Sequence, residues 1–385
     1  MILLANDIFN KIFPKICIDG KKVRLIELFG GIGSQAKAFE VLHRNYPEKV
    51  IFEHYRLVEI DKYCVRSYNA IHSTNFSVKD IKEITFDDLG IENNDKYIYI
   101  MTYSFPCQDI STAGLRKGFE EGSGTRSSLL WEVVRLLKDL PKNDRPYILL
   151  MENVAAIENN QNIQGLNKLQ SILNELGYRN YVEQLNLKDY GIPQNRNRCF
   201  MISIKSEDIY YFPKKIEAKH YMQEFLQNIE TIPDKYFLSQ NLINIFMDKK
   251  PHGLYVRFSR FKPFYYLDEN IAWTIETRQG GHPQNNYIYY PKNIYNGKKS
   301  VGIMKKQNIE YVVRNLTPFE LFRLMGFEKG DYIKVKDVNS PTQLIKQAGN
   351  SIGVTCLIAI IAMFYSDIDY EKIINDYVDN ILFEI

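Results

Sequence analysis

Residues 25–35 read LIELFGGIGSQ: an apolar run, Leu25 to Phe29, passes directly into Gly30, Gly31 and Gly33, and a helical pattern, QAKAFEVLH, follows. A strand that ends in glycines and then becomes a helix opens a βαβ unit, because glycine takes backbone conformations closed to other residues and lets N–H groups approach a ligand. The spacing is not the GxGxxG of dinucleotide sites. Outward from this turn the same rhythm repeats: YRLVEI then DKYCVRSYNAI, YIYIMTYS then SSLLWEVVRLLKDL, YILLMENV then GLNKLQSILNEL. Alternation of this kind from Val23 to about Ile204 predicts an α/β fold, a doubly wound and mostly parallel sheet. Past Ile204 the helical period fades, and it returns only at TPFELFRLMGF and SIGVTCLIAIIAMF. The expected organisation is therefore one domain from 1–204 and 311–385, interrupted by a smaller, irregular and partly β domain at 205–310.

A chain of 385 residues, 45% hydrophobic and 25% charged, can bury a large core, which disfavours disorder. Its longest apolar run, Cys356 to Tyr365 (CLIAIIAMFY), is half of the roughly 20 residues a membrane span needs, so no membrane partner is expected. The start, MILLANDIFNKIFPKI, has no basic stretch before its apolar residues and reads as no signal peptide. Five cysteines (17, 64, 107, 199, 356), with no CxxC and no Cys/His cluster, argue against a disulfide framework and against a metal site, and fit a reducing, cytoplasmic setting. Net charge is only +3, but Lys205 to Glu310 holds 16 basic and 11 acidic residues, a local +5. Within it, KKPHGLYVRFSRFK (Lys249 to Lys262) has five basic residues, no acidic one, and Tyr255, Phe258 and Phe261 between them. Nucleic-acid contact and ordinary aromatic packing both suit that segment.

Chemistry-bearing residues fall at the predicted strand ends. The second strand ends in Glu59, where a carboxylate can accept hydrogen bonds from ribose hydroxyls. A weaker third strand would lead to Lys79-Asp80-Ile81, where a carboxylate and a backbone amide could read an adenine edge. A fourth leads to Pro106-Cys107-Gln108, and a fifth ends in Glu152-Asn153-Val154. In a parallel sheet such ends share one crevice, so a thiol and a carboxyl group can converge on one small ring. A free thiol is mostly protonated at neutral pH and needs a positive neighbour; Arg126, Arg196 and Arg198 are available. Taken singly, each of these is also an ordinary loop or surface residue.

The ordered set FGGIGS, VEID, KDI, SFPCQDIS, GTRSSLLWE, ENV, YGIPQNRNR, RNLTPFELFRLMGF and QAGNSIGV closely resembles the DNA (cytosine-5)-methyltransferases of bacteria and phages over nearly the whole chain. The gap between QNRNR and RNLTP suits that family's target-recognition domain. Small departures, GGIGS for AGIGG and Ser104 for Gly, touch no reactive side chain. The resemblance implies methyl transfer from S-adenosylmethionine to C5 of a flipped cytosine in double-stranded DNA, through a covalent bond from Cys107 to C6. By the same match Glu152 would contact N3 and the exocyclic amine, and Arg198 would hold O2. Arg196 would support the active-site loop or a phosphate, and Gln194 would be structural. For the cofactor, Phe29 would lie near adenine, Gly30, Gly31 and Gly33 along the amino-acid tail, Glu59 on ribose, Asp80 and Ile81 on adenine, with Pro106 in the pocket and Asn350 shaping it. The DNA contacts expected are Gln108, Arg126, Lys249, Lys250, Arg257 and Arg260. The chain is expected to act as a monomer, and both a cognate restriction endonuclease and solitary action stay open. An RNA cytosine-5 methyltransferase, a nicotinamide-dependent oxidoreductase and a catalytically silent DNA-binding homologue are the competing readings. The basic insert opposes the first, and the Cys107/Glu152 pair opposes the other two.

Overall fold

The structure, a computed structural model, describes residues 15–92, 94–106, 126–247, 271–277, 286–295, 301–306 and 308–383. In chain order the strands are β1 (Lys22–Leu28), β2 (Ile51–Val58), β3 (Tyr97–Tyr103), β4 (Ile148–Val154), β5 (Arg179–Asn186), β6 (Gln194–Asn195), β7 (Asn197–Ile204), β8 (Ala272–Trp273), β9 (Tyr287–Pro291), β10 (Ile303–Lys306) and β11 (Ile309–Asn315). The helices used below are α1 (Ser34–Asn45), α2 (Lys62–His72), α3 (Leu130–Asp139), α4 (Ile163–Glu175), α5 (Gln240–Met247), α6 (Pro318–Leu324), α7 (Lys329–Val335), α8 (Pro341–Asn350) and α9 (Val354–Ala362). The chain forms two compact units, one of residues 1–186, 197–216 and 354–375, the other of 187–196, 217–353 and 376–385.

The first unit is built on a sheet of order β2-β1-β3-β4-β7-β5. The four strands β2, β1, β3 and β4 run parallel, whereas β7 runs antiparallel to both β4 and β5. Residues 148–153 of β4 are buried without a break, as befits a strand covered on both faces. The helices cover the sheet through apolar stripes at helical spacing, such as Leu166, Leu169 and Leu173 on α4. Every residue of α9 is buried, and this helix packs on α1, so the apolar run at 356–365 is core.

Two expectations need correcting. Among the described residues no strand lies between Val58 and Tyr97, so the strand leading to Cys107 is the third of the sheet and the one carrying Glu152 the fourth. Asp80 and Ile81 instead sit in an irregular segment that follows α2. The periodicity also gave no sign that β7 would insert antiparallel between β4 and β5; apolar alternation marks a strand but not its direction.

The second unit does not coincide with the 205–310 insert: residues 205–216 belong to the first unit, and the second also takes in 187–196, 311–353 and 376–385. It holds an antiparallel sheet of order β10-β11-β9 and the short parallel pair β6-β8. Leu238, Ile243, Tyr287, Tyr289, Met304 and Val313 form one of its cores. Its most costly element is an ion pair with no solvent access on either side chain, Arg314 with Glu320. Both guanidinium nitrogens Nη1 and Nη2 donate to the carboxylate at 2.8 Å, and the backbone N–H groups of Thr317 and Gln227 add 2.8 Å bonds to it. Glu320 is thereby also the reciprocal cap of α6, answering Thr317. These bonds offset much of the cost of burying the pair, while the buried Arg314 Nε has no hydrogen-bond partner among the described residues, and removing one partner strands the other charge. Glu320→Ala should therefore lower unfolding free energy by about 3–5 kcal/mol in urea titrations, whereas a paired Arg314→Met/Glu320→Leu replacement should cost far less. Equal losses from the two would mean that the charge pair is not what matters.

Candidate functional site

Because β2, β1, β3 and β4 are parallel neighbours, their carboxyl ends line one edge of the sheet. The chain leaves β1 through Phe29, whose φ of 56° is left-handed and whose N–H donates to Val58 O at 2.8 Å. The turn closes with Gly33 N–H donating to Gly30 O at 2.9 Å, and Gly33 has a φ of 82°. A Cβ on Gly30 would collide with Leu57 Cδ1, and one on Gly33 would strike His72 and Tyr68, so this turn is packed against β2 and α2 without space for side chains. Gly31 differs: a Cβ there would meet nothing, which leaves open space beside its backbone.

Glu59 stands next to that opening. Its carboxylate accepts from Gly31 N–H at 3.0 Å and from Asp61 N–H at 2.8 Å. Burial pushes its carboxyl group up from the ordinary range, against the lowering effect of those amide bonds. Its carbonyl accepts from Lys79 N–H at 3.1 Å, which ties the Asp80 segment to the same strand end. Asp80 Oδ1 accepts from Lys82 N–H at 3.0 Å, and Ile81 is buried in the core cluster that includes Val58 and Phe105. Ile60, in contrast, is 63% exposed between Glu59 and the start of α2.

On the other side of β1, Pro106 ends the described part of the β3 exit. Asn153 Nδ2 donates to Phe105 O at 3.1 Å and Ser127 Oγ donates to Pro106 O at 2.6 Å, so both residues before Cys107 are held by side chains. Ser104 Oγ is buried here with no hydrogen-bond partner among the described residues. Glu152 is 8% exposed, and its Oε1 lies 3.2 Å from Arg198 Nε. The pairing explains the contact: in the antiparallel β4/β7 ladder Glu152 faces Phe200 and Val154 faces Arg198, which makes Glu152 and Arg198 diagonal neighbours.

In the second unit, Arg196 Nη1 donates to Ile275 O at 3.1 Å, and Nη2 to Gly349 O at 2.9 Å and Ser351 O at 2.7 Å. Gln194 donates to Leu324 O and accepts from Ile275 N–H. Asn350 is the exposed last residue of α8. Cys107, Gln108, Lys249, Lys250, Arg257 and Arg260 lie outside the described residues, as does the side chain of Arg126. The sequence reading passed over Asn153, Ser127 and Lys79 as anchors of the strand ends. It also passed over Glu27, although a lone acid inside an apolar strand was a visible signal.

The profile of the C-5 cytosine-specific DNA methylases matches residues 23–365. The chain belongs to that family. It is 32% identical over 384 residues to the Type II methyltransferase M2.ScrFI of Lactococcus lactis subsp. cremoris, an alignment covering 87% of this chain and 97% of the relative. It is 30% identical over 399 residues to the Orphan methyltransferase M.SssI of Spiroplasma monobiae, covering 89% and 97%. In fold it resembles the S. pombe Dnmt2 methyltransferase, with a TM-score of 0.65 at 18% identity over 89% of this chain and 98% of that one. The Entamoeba histolytica methyltransferase EhMeth gives a TM-score of 0.65 at 17% identity, over 90% and 99%. The protein is thus a DNA cytosine-5 methyltransferase on a mainly parallel α/β sheet.

Asn153→Ala should remove the bond to the buried Phe105 carbonyl and cost about 1–3 kcal/mol in stability. Urea unfolding would measure this, and a loss below ~0.5 kcal/mol would show that the Asn153 bond does not hold the β3 exit.

Proposed function

We propose that this methyltransferase acts on duplex DNA through a covalent adduct between Cys107 and cytosine C6, with S-adenosylmethionine as the donor. The observation that carries this reading is the Glu152–Arg198 pair, a buried carboxylate and a guanidinium 3.2 Å apart at the strand end adjoining the Pro106 exit. C5 of cytosine is too poor a nucleophile to take a methyl group unaided, and addition at C6 makes it enamine-like. Cys107 supplies the thiolate; Glu152 holds N3 and the exocyclic amine, answering charge that develops as the thiolate adds. Arg198 holds O2 and keeps Glu152 in place. Loss of the C5 proton and elimination of Cys107 then restore the thiol. For Arg196, three backbone carbonyls on its guanidinium support a role in holding the loop around Ile275 and Gly349 rather than a contact with the base.

The turn after β1 fits a nucleoside donor. Open space beside Gly31, a carboxylate fixed by two amides and the Asp80–Ile81 segment tied to the same strand end supply backbone approach, a ribose acceptor and an adenine-reading edge. Phe29, Gly30, Gly31, Gly33, Glu59, Asp80, Ile81 and Pro106 would hold the donor, and Asn350 would shape its pocket. When bound, S-adenosylmethionine supplies the electrophilic methyl group that activated C5 takes.

Neither C5 nor C6 is approachable inside a stacked duplex, so the cytosine must be flipped out, at a cost of a few kcal/mol. Duplex binding offsets that cost through the basic 205–310 region, with Lys249 and Lys250 on phosphates, Arg257 and Arg260 on base edges, and Gln108 and Arg126 near the flipped base. One chain carries the whole set, which supports action as a monomer, and membership of a DNA-modifying family supports a cytoplasmic setting. The type II name of the Lactococcus relative supports a cognate restriction endonuclease as partner, and the orphan name of the Spiroplasma relative supports solitary action, so both stay open.

Duplex DNA bearing 5-fluorocytosine at a methylated site should trap a denaturation-resistant adduct with the wild-type protein and none with Cys107→Ser. Absence of adduct on a verified site would refute the covalent route, and methylation of tRNA in preference to duplex DNA would refute the substrate. Glu59→Ala should weaken S-adenosylmethionine binding by about 1.5–3 kcal/mol, the range for a hydrogen bond to a charged group, with duplex affinity nearly unchanged. Calorimetry giving wild-type donor affinity would remove Glu59 from the site.

A further inference from the structure

Behind the glycine turn lies a chain of buried polar groups that the proposed mechanism does not use. Glu27, with no solvent access, accepts the Tyr68 hydroxyl and, at 3.4 Å, the Ala36 N–H. His54 Nδ1 lies 3.3 Å from Tyr68 Oη, and its Nε2 is 3.4 Å from Glu40 Oε1. His72, whose side chain is wholly buried, places Nδ1 2.7 Å from the same Glu40 oxygen and Nε2 3.1 Å from Ile32 O. Ile32 is part of the glycine turn, and the adjoining Gly33 is packed so tightly on His72 that any Cβ there would strike Nε2.

Glu40, His54 and His72 offer ligand atoms within 4.8 Å of one another, a spacing that could suit a divalent cation. The bonding opposes that use. Both imidazoles converge on one carboxylate oxygen, as two hydrogen-bond donors do, and the buried Lys37 ammonium stands 3.8 Å from the other. A cation there would also have to displace His72 from Glu40.

The partners of His72 dictate its protonation. A backbone carbonyl only accepts, and a carboxylate only accepts, so each ring nitrogen must carry a hydrogen for both short bonds to exist. Burial alone would raise the Glu40 carboxyl, but hydrogen bonds from His54 and His72 and the Lys37 charge outweigh it and hold Glu40 ionised, far below the usual carboxylate range.

We propose that His72 is a positioning residue for methyl-donor binding: with a hydrogen on each ring nitrogen, it ties the Ile32 carbonyl to the Glu40 carboxylate and so holds the glycine turn in its binding shape. This rests on the assignment of that turn to S-adenosylmethionine. A side chain that keeps a donor toward the Ile32 carbonyl preserves the turn, and one that fills the space without a donor releases it. The other titratable or charged groups facing this ring are Glu27 on β1, Lys37 and Glu40 on α1, His54 on β2 and Tyr68 on α2. Burial keeps Tyr68 a hydroxyl throughout, its pKa lying well above the phenolic range.

The test is calorimetric binding of S-adenosylhomocysteine to wild type, His72→Gln and His72→Leu. Glutamine retains a donor near the Nε2 position, whereas leucine fills the space without one. His72→Leu should lose about tenfold in affinity, one hydrogen bond's worth, and His72→Gln should recover most of it. Nitrogen-15 spectra of unliganded wild type should show a hydrogen on each ring nitrogen of His72; this holds even if a variant fails to fold. A His72 ring with a hydrogen on only one nitrogen, or equal affinities for the three proteins, would overturn the proposal while leaving the donor assignment intact. No binding to wild type would overturn both.

Discussion

The glycine-rich edge of the sheet depends on how the chain leaves its central strand. Phe29 takes a left-handed φ of 56° to deliver its N–H to Val58, and the next residues must turn within a space that Leu57, Tyr68 and His72 already occupy. A non-glycine residue in that conformation costs about 1–3 kcal/mol, and it persists because the neighbours over-determine it. Gly31 N–H is bound to Glu59, Ile32 O to His72, and Gly33 N–H to Gly30 O. The turn is thus fixed by β1 lying between two parallel neighbours, and at Gly31 its backbone borders open space.

The same chemical group is put to different uses by its surroundings. Glu27 is fully buried and pushed up by that burial; Glu40, half-shielded among two imidazoles and a lysine, is held ionised; Glu59 is fixed by amides beside open space. The cysteines divide in the same way. Burial, reinforced by Glu158, pushes the Cys199 thiol far up, and Cys64 and Cys356 are buried as small hydrophobes, which leaves them poor nucleophiles.

Much of this was legible in the sequence because helical and strand periods are local. The turn at Gly30 to Gly33 and the helices after β1, β2 and β4 follow from spacing alone, and so does burial of the 356–365 run. What spacing could not give was pairing. Two neighbouring strands, the mixed-polarity Arg179–Asn186 and the more apolar Asn197–Ile204, form an antiparallel insertion at the sheet edge, and the direction of a strand is decided by which neighbour it meets. The network behind the glycine turn was equally hidden. Its members come from β1, α1, β2 and α2, and Glu40, His54 and His72 are unremarkable until the fold sets them within a hydrogen bond of one another.

That failure is most instructive in QNRNR, residues 194–198, where alternate residues serve different masters. The chain passes from the second compact unit to the first between Arg196 and Asn197. Gln194 and Arg196 are both buried, and both are spent on backbone carbonyls of the second unit. Arg198, two residues later, lies on β7 of the first unit and pairs with Glu152. In sequence the two arginines look interchangeable, since both are cations at the end of one motif. Their surroundings separate them: a guanidinium donating to three carbonyls fixes backbone, whereas one 3.2 Å from a carboxylate at a strand end orients that carboxylate. Arg198 therefore inherits its position from β7 rather than from its neighbour in the motif.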